Sequence, residues 1–277
     1  MKTQATTTWV MVTALVGFVF AAGVNANPVL WNRLGSDQEV LNSEIGPNGT
    51  LLGTDYAYEP GQHGNGYVRT SNLHGEAVQF PGSVLHDLSS RGTVELWINP
   101  KVPNPVPFQY GFFALVGRPV SGPTAPDNRG NVYLFWGDGV TGQGFYGGIR
   151  FDGLHARTPD EATQFVAVPG VPVHAAISWD IDGIDGSADT VRVYRDGALV
   201  GATSDLWNPA GMDLEDSFLL GSSPDAGGFD KWVSDNIKVW DFAETNFSHR
   251  FDENYIPEPG ALALLGVGAL ALLRRRS

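Results

Sequence analysis

The sequence predicts an all-β fold from three observations. Glycine and proline number 35 and 18 in 277 residues, and they cut the chain into short apolar runs of strand length. Asn48-Gly49, Asp138-Gly139, Asp152-Gly153, Asp182-Gly183, Asp185-Gly186 and Asp196-Gly197 each offer the left-handed backbone that tight hairpins require. Almost no segment between these turns sustains a 3.6-residue apolar period, and the best helix candidate is the short stretch Ala243 to Arg250.

The chain opens with Lys2, an apolar run from Trp9 to Gly23 and the small-residue end Val24-Asn25-Ala26. No polar face makes this run amphipathic, so residues 1–26 read as a signal peptide with a helical core, handed to the secretion machinery and cut by signal peptidase between Ala26 and Asn27. The remainder, 27–256, is long enough for one domain with a substantial core. Residues 27–60 are expected to supply an edge strand and surface loops, and an opening strand lies near Glu76 to Phe80. In Thr93 to Asn99, Val94, Leu96 and Ile98 alternate with Glu95 and Trp97 before Pro100 stops the run. Phe112 to Val116, Val132 to Trp136 and Gly148 to Phe151 follow. Val173 to Trp179 is almost continuously apolar, as a central strand is. Val191 to Arg195, the turn Asp196-Gly197 and Ala198 to Thr203 form the clearest hairpin, and Phe218 to Gly221 and Asn236 to Trp240 complete the series.

Between Asn27 and Ile256 there are 13 Lys and Arg against 29 Asp and Glu, a formal charge of −16. Such a surface repels nucleic acid and anionic lipid, and suits divalent cations or neutral glycans. With no cysteine, stability rests on the hydrophobic core, alone or with a bound metal.

Gly-Thr-Val-Glu-Leu-Trp-Ile at 92–98, Val-His-Ala-Ala-Ile-Ser-Trp-Asp at 173–180, Val-Arg-Val-Tyr-Arg-Asp-Gly-Ala-Leu-Val-Gly at 191–201 and Ser-Asp-Asn-Ile-Lys-Val-Trp at 234–240 resemble, in this order, the laminin-G-like, concanavalin A-like jelly roll. The match covers roughly residues 60–245. It implies two curved antiparallel sheets, loops along one rim and a concave face open to solvent, where a binding function would sit.

The last residues, 257–277, read Pro257-Glu258-Pro259, then Gly260, an uncharged run Ala261 to Leu273, the cluster Arg274, Arg275, Arg276, and Ser277. Arginines stay on the cytoplasmic side, so the body lies outside. Gly260 to Leu273 makes only about 21 Å of helix against a hydrocarbon core of ~30 Å, which suits a temporary anchor better than a permanent one. The pattern resembles the PEP-CTERM sorting signal. That resemblance implies processing by exosortase, a membrane-embedded cysteine transpeptidase of Gram-negative bacteria that make exopolysaccharide. An inner-membrane-anchored intermediate would precede display at the cell surface or release.

Trp97, Trp179 and Trp240 fall mid-strand and read as core. Trp136, Tyr146, Trp207 and Trp232 lie near turns and are the candidates for stacking on a sugar ring. Asp180, Asp182, Asp185 and Asp189 place four carboxylates within ten residues, a candidate Ca²⁺ site whose spacing departs from an EF-hand; a solvated turn is the competing reading. Asp235 is a separate rim candidate before the closing strand, where the resemblance implies an acidic residue of structural role. His174 reads as structural, with a ring nitrogen bonded to backbone. No His-Glu-x-x-His, Gly-x-Ser-x-Gly or phosphate loop occurs, and the Gly142-x-Gly144-x-x-Gly147 string leads into a strand rather than a helix. The Glu-x-Asp-x-Glu string of glycosidases on this fold is also absent. These features favour a non-catalytic module in contact with extracellular polysaccharide. The alternatives are a polysaccharide-cleaving glycosidase or lyase and a purely structural matrix protein.

Overall fold

The computed structural model describes residues 28–70, 76–86, 88–101, 111–113, 116–117, 131–136, 145–151, 154–159, 168–209, 217–220 and 232–255, all of which fall in one compact unit, Ala26–Glu258. In chain order the strands are β1 (Pro28–Asn32), β2 (Thr50–Leu52), β3 (Tyr56–Pro60), β4 (Asn65–Arg69), β5 (Ala77–Pro81), β6 (Arg91–Pro100), β7 (Gly111–Phe113) and β8 (Val116–Gly117). They continue with β9 (Asn131–Trp136), β10 (Phe145–Phe151), β11 (Leu154–Arg157), β12 (Val173–Asp180), β13 (Val191–Arg195), β14 (Ala198–Thr203), β15 (Ser217–Leu220) and β16 (Trp232–Trp240). Among the described residues the helices are two four-residue pieces, α1 (Asp37–Val40) and α2 (Ser83–His86), with 3₁₀ turns at Ile184–Gly186 and Phe247–Phe251. The stretch expected to be helical, Ala243 to Arg250, contributes only part of the 3₁₀ turn Phe247–Phe251, which Asn246 caps by accepting from the Ser248 N–H.

The large sheet runs β14-β13-β12-β6-β16-β4-β3, and β1 also pairs with β16. Since β6 occupies one edge of β16, β1 and β4 share the other. β1 takes Ile237 to Trp240 and β4 takes Ser234. Asn236, left-handed at φ 52, forms the bulge between these halves. Its backbone N–H donates to the Arg33 carbonyl, and its Oδ1 accepts from Trp31 Nε1 at 2.7 Å. Two smaller sheets, β11-β10-β9-β7 and β2-β5-β15-β8, build the opposing layer. β10 packs on β13 and β14, and Gly147 permits the approach: a Cβ there would stand 2.9 Å from Val193 Cγ2 and 3.0 Å from Ile177 Cδ1. The core between the layers joins Val94, Leu96 and Ile98 with Ala175, Ile177, Trp179, Phe80 and Phe218.

The 27–60 segment does more than was expected of it. β3 is an edge strand, but β1 is buried beside β16, with Leu30 and Asn32 wholly inaccessible. Gly49 is not left-handed; Gly46 is, at φ 80. The turns at 138–139 and 152–153, the signal segment 1–26 with Ala26 and Asn27, and the tail 257–277 with its apolar run 261–273 lie outside the described residues. Among the described residues no helix is long and apolar enough to cross a membrane.

The hairpin β13–β14 turns through Asp196 (φ 52) and Gly197 (φ 80), as two consecutive left-handed residues require. Gly197→Val should cost about 1–3 kcal/mol, because a β-branched residue is strained at that φ. A melting temperature unchanged from the parent would contradict this.

Candidate functional site

Strand alternation sends Thr93, Glu95 and Trp97 of β6 away from the core. His174, Ala176 and Ser178 of β12, Tyr194 of β13, and Asp235, Lys238 and Trp240 of β16 stand beside them in register. This outward face is not open to solvent as expected. The segment after β16, Asp241–Tyr255, doubles back over it as a strap. Thr93 Oγ1 donates to the Phe242 carbonyl at 2.8 Å and accepts from the Glu244 N–H, and Ser178 Oγ donates to the Glu244 carbonyl at 2.6 Å. Phe247 caps His174 and Tyr194 with ring centroids 5.3 and 4.8 Å away. Trp97 Nε1 then donates to the Arg250 carbonyl, and Phe251 leans on the Trp97 ring.

Beneath the strap lies a buried ionic cluster. Glu95 accepts from Trp240 Nε1 at 2.9 Å, His174 Nε2 stands 2.9 Å from its other oxygen, and His249 Nε2 of the strap lies at 3.4 Å. Burial alone pushes the Glu95 carboxyl up. The hydrogen bonds and charges of His174 and His249 overcome it and hold the group well below the usual carboxylate range. Burial pulls Lys238 down, opposed by Glu95, Asp252 and Glu253, and its ammonium sits 5.0 Å over the Trp31 ring. Asp235 differs again. Burial lifts its carboxyl to about 6 even though it accepts from the backbone of His63 and Gln62. The His63 N–H stands 2.7 Å from Asp235 Oδ2, so the group ties β16 to the turn between β3 and β4. His174 is buried, and the ring nitrogen expected to meet backbone meets the Glu95 carboxylate instead.

The residues singled out for sugar stacking are mostly inside. Tyr146 is buried, with the Arg157 guanidinium 4.3 Å over its ring. Trp207 is buried and donates to the Ser89 carbonyl at 2.8 Å, and Trp232 is buried in β16. An indole packed into the core has no face left for a sugar, so turn proximity misled here. Trp136 ends β9, in register with Phe145 and Gly111. Trp97, Trp179 and Trp240 are all buried, but only Trp179 lies in the core between the layers, whereas Trp97 and Trp240 lie beneath the strap.

The four carboxylates of the 180–189 loop are not gathered into one cage. Asp189 Oδ2 accepts from Arg192 Nε at 2.9 Å and Asp185 lies 3.7 Å from the same guanidinium, whereas Asp180 Oδ1 accepts from the Asp182 N–H. Arg192 already engages two of the four carboxylates with its single charge. Among the described residues no three His, Asp or Glu side chains are grouped to hold a metal ion. Asp180 and Asp182 instead help line a surface groove of about 550 Å³ with Val29, Leu88, Ser90, Arg91 and Asp241. The groove lies where β6 begins and β12 and β16 end. By contrast, the space enclosed among Glu95, Trp97, His174, Lys238 and His249 is only about 10 Å³.

Residues 256–277 match the PEP-CTERM protein-sorting motif. No curated protein matches the chain by sequence. Among solved structures the chain is similar to domain 4 of AbnA, a GH43 extracellular arabinanase from Geobacillus stearothermophilus, in complex with arabinotriose. That likeness has a TM-score of 0.52 at 19% identity and covers 79% of this chain and 95% of that one. It is also similar to Trypanosoma rangeli sialidase, with TM-score 0.53 at 11% identity, over 83% of this chain and 34% of that one. The binding domain of Paraclostridial Mosquitocidal Protein 1 gives TM-score 0.53 at 15% identity, over 79% of this chain and 49% of that one. The chain thus spans about a third of the sialidase and half of the mosquitocidal chain. These likenesses establish the two-sheet jelly-roll sandwich. Fold and tail together define an exported β-sandwich protein. It carries the PEP-CTERM sorting motif, which makes exosortase its processing partner and a C-terminally membrane-anchored form its intermediate.

The two buried carboxylates have opposite pH signatures. Glu95, held low in the folded state, stabilises the fold above the ordinary carboxylate pKa, and that contribution is lost as pH falls. Glu95→Ala should cost about 3–5 kcal/mol at neutral pH by orphaning its partners, and the penalty should shrink in acid. Thermal melts at pH 7 and pH 4 that give equal penalties would contradict this. Asp235, raised to about 6, binds its proton more tightly folded than unfolded, so it costs stability as pH rises from about 4 to 6. Asp235→Asn, which retains an acceptor for His63, should gain on the parent by on the order of 2 kcal/mol between pH 4 and pH 7. A pH-independent difference between the two melts would refute the assignment.

Proposed function

We propose that the sandwich is a non-catalytic module that contacts, or is embedded in, extracellular polysaccharide at the surface of a Gram-negative cell once the tail has been processed. The carrying observation is the join between a sorting motif that starts at residue 256 and a folded body described through Tyr255. The acid and base groups most suggestive of chemistry, Glu95, His174 and His249, surround a space of about 10 Å³, too small for a sugar ring. The groove at Arg91, Asp180 and Asp182 is of ligand size, and its carboxylates, guanidinium and Ser90 hydroxyl suit the hydroxyl groups of a neutral glycan. Domain 4 of AbnA, of similar fold, was solved with arabinotriose, which supports the same reading.

A glycan array combined with a reducing-end release assay tests it. The expected result is binding without release of new reducing ends. Arg91→Ala and Asp182→Ala should each weaken binding about tenfold, or roughly 1.4 kcal/mol, with the melting temperature unchanged. Release of reducing ends would establish the glycosidase or lyase alternative, and binding to no glycan would leave the structural matrix protein.

A further inference from the structure

The strap that covers the ionic cluster also leads to the sorting signal. It is fastened until its last described residue. Arg33 holds Glu253 at 2.6 Å and Asn254 at 3.0 Å. Lys238 Nζ donates to the Tyr255 carbonyl at 3.2 Å, and the Tyr255 ring stacks on His249 at 4.0 Å and 17°. In sequence only Ile256 separates Tyr255 from Pro257. A chain spans at most about 3.6 Å per residue, so Pro257 stays within about 7 Å of the docked Tyr255.

A processing enzyme must take hold of Pro257-Glu258-Pro259 and the backbone on either side. Peptides bind in clefts largely as extended strands that use their own backbone groups, and here the backbone just before the motif is already engaged. The Tyr255 carbonyl is occupied by Lys238. The fastenings differ in depth: the His249 and Glu95 side chains are 7% and 5% exposed, whereas those of the Arg33–Glu253 pair are 28% and 21% exposed. Partly exposed pairs at a chain end are the first to open. Opening at residues 252–255 would lengthen the free chain before Pro257 without disturbing Glu95.

We infer that the terminal part of the strap, Asp252–Tyr255, is a releasable fastening, and that its undocking from Arg33, Lys238 and His249 limits how fast the sorting motif is processed. This rests on the PEP-CTERM assignment. Only the undocked fraction is competent, so the apparent affinity of the enzyme falls by that fraction, and anything that lengthens the reach restores it.

The test is a pulse-chase of the full chain in an exosortase-bearing host, following conversion of the membrane-anchored precursor. Arg33→Ala and Tyr255→Ala loosen the fastening. Eight Gly and Ser residues inserted between Ile256 and Pro257 supply reach while leaving every strap contact in place. The precursor half-life should shorten about 3- to 10-fold in all three variants, and adding Arg33→Ala to the insertion should give no further gain. The insertion should leave the melting temperature of the body unchanged, which separates reach from folding. An insertion variant converted no faster than the parent overturns the inference and leaves the sorting assignment intact. A parent chain that is never converted overturns the sorting assignment, and the inference with it.

Discussion

A carboxylate in the middle of a covered sheet face is tolerable only if both its oxygens have donors, and Glu95 finds them in three parts of the chain at once. Trp240 comes from the neighbouring strand β16, His174 from the other neighbour β12, and His249 from the strap. The interaction therefore specifies more than stability. It fixes the register of the three strands at the centre of the large sheet, and it requires the strap to lie over that face, because without His249 and Phe247 the cluster would stand open to water. The outward face of this sheet is a second, partly polar core. Ala176, Tyr194 and Phe247 form its small apolar patch.

Much of the fold was legible because its strongest signals are local. The alternation of Val94, Leu96 and Ile98 and the turn Asp196-Gly197 state their strands directly, and the observed β13 and β14 coincide with the expected hairpin. Among the strands that were not legible, β1 depends on a partner remote in sequence. β1 pairs Leu30 with Val239, about two hundred positions away, and nothing in Pro28–Asn32 announces that it will be buried on both sides. The strap has no period at all. Its order comes from side chains of the sheet that reach up to its carbonyls, Thr93, Ser178 and Trp97, and such contacts leave no mark on the segment that receives them.

The site was less legible than the fold for a related reason. Aromatic residues beside turns resemble sugar platforms in sequence, but Trp207 belongs to the core and Tyr146 is buried in β10, where a large ring removes much apolar area from water. Four aspartates in ten residues resemble a cation site, but the chain carries its own cation in Arg192, three residues beyond Asp189. The signal that was available and unused was Glu95. A glutamate flanked by Val94 and Leu96, with Trp97 next on its own face, stands on the outward side of a strand too apolar to be exposed there. His174, directly across from Trp97, was seen as structural while its carboxylate partner was not.

The order in which this sheet can be completed follows from its topology. β16 lies inside the sheet, between β6 on one side and β1 and β4 on the other, yet it is the last of the described strands. Pairing of this kind has a high loop-closure cost and forms late. β1, nearest the exported end, has no partner among the described strands except β16, so it must wait for the whole chain to emerge. The strap can dock only after β6, β12 and β16 have assembled Glu95, His174 and Trp240 beneath it. The segment that leads into the sorting motif is thus the final piece of the body to settle. Its docked state reports that the sandwich behind it is finished.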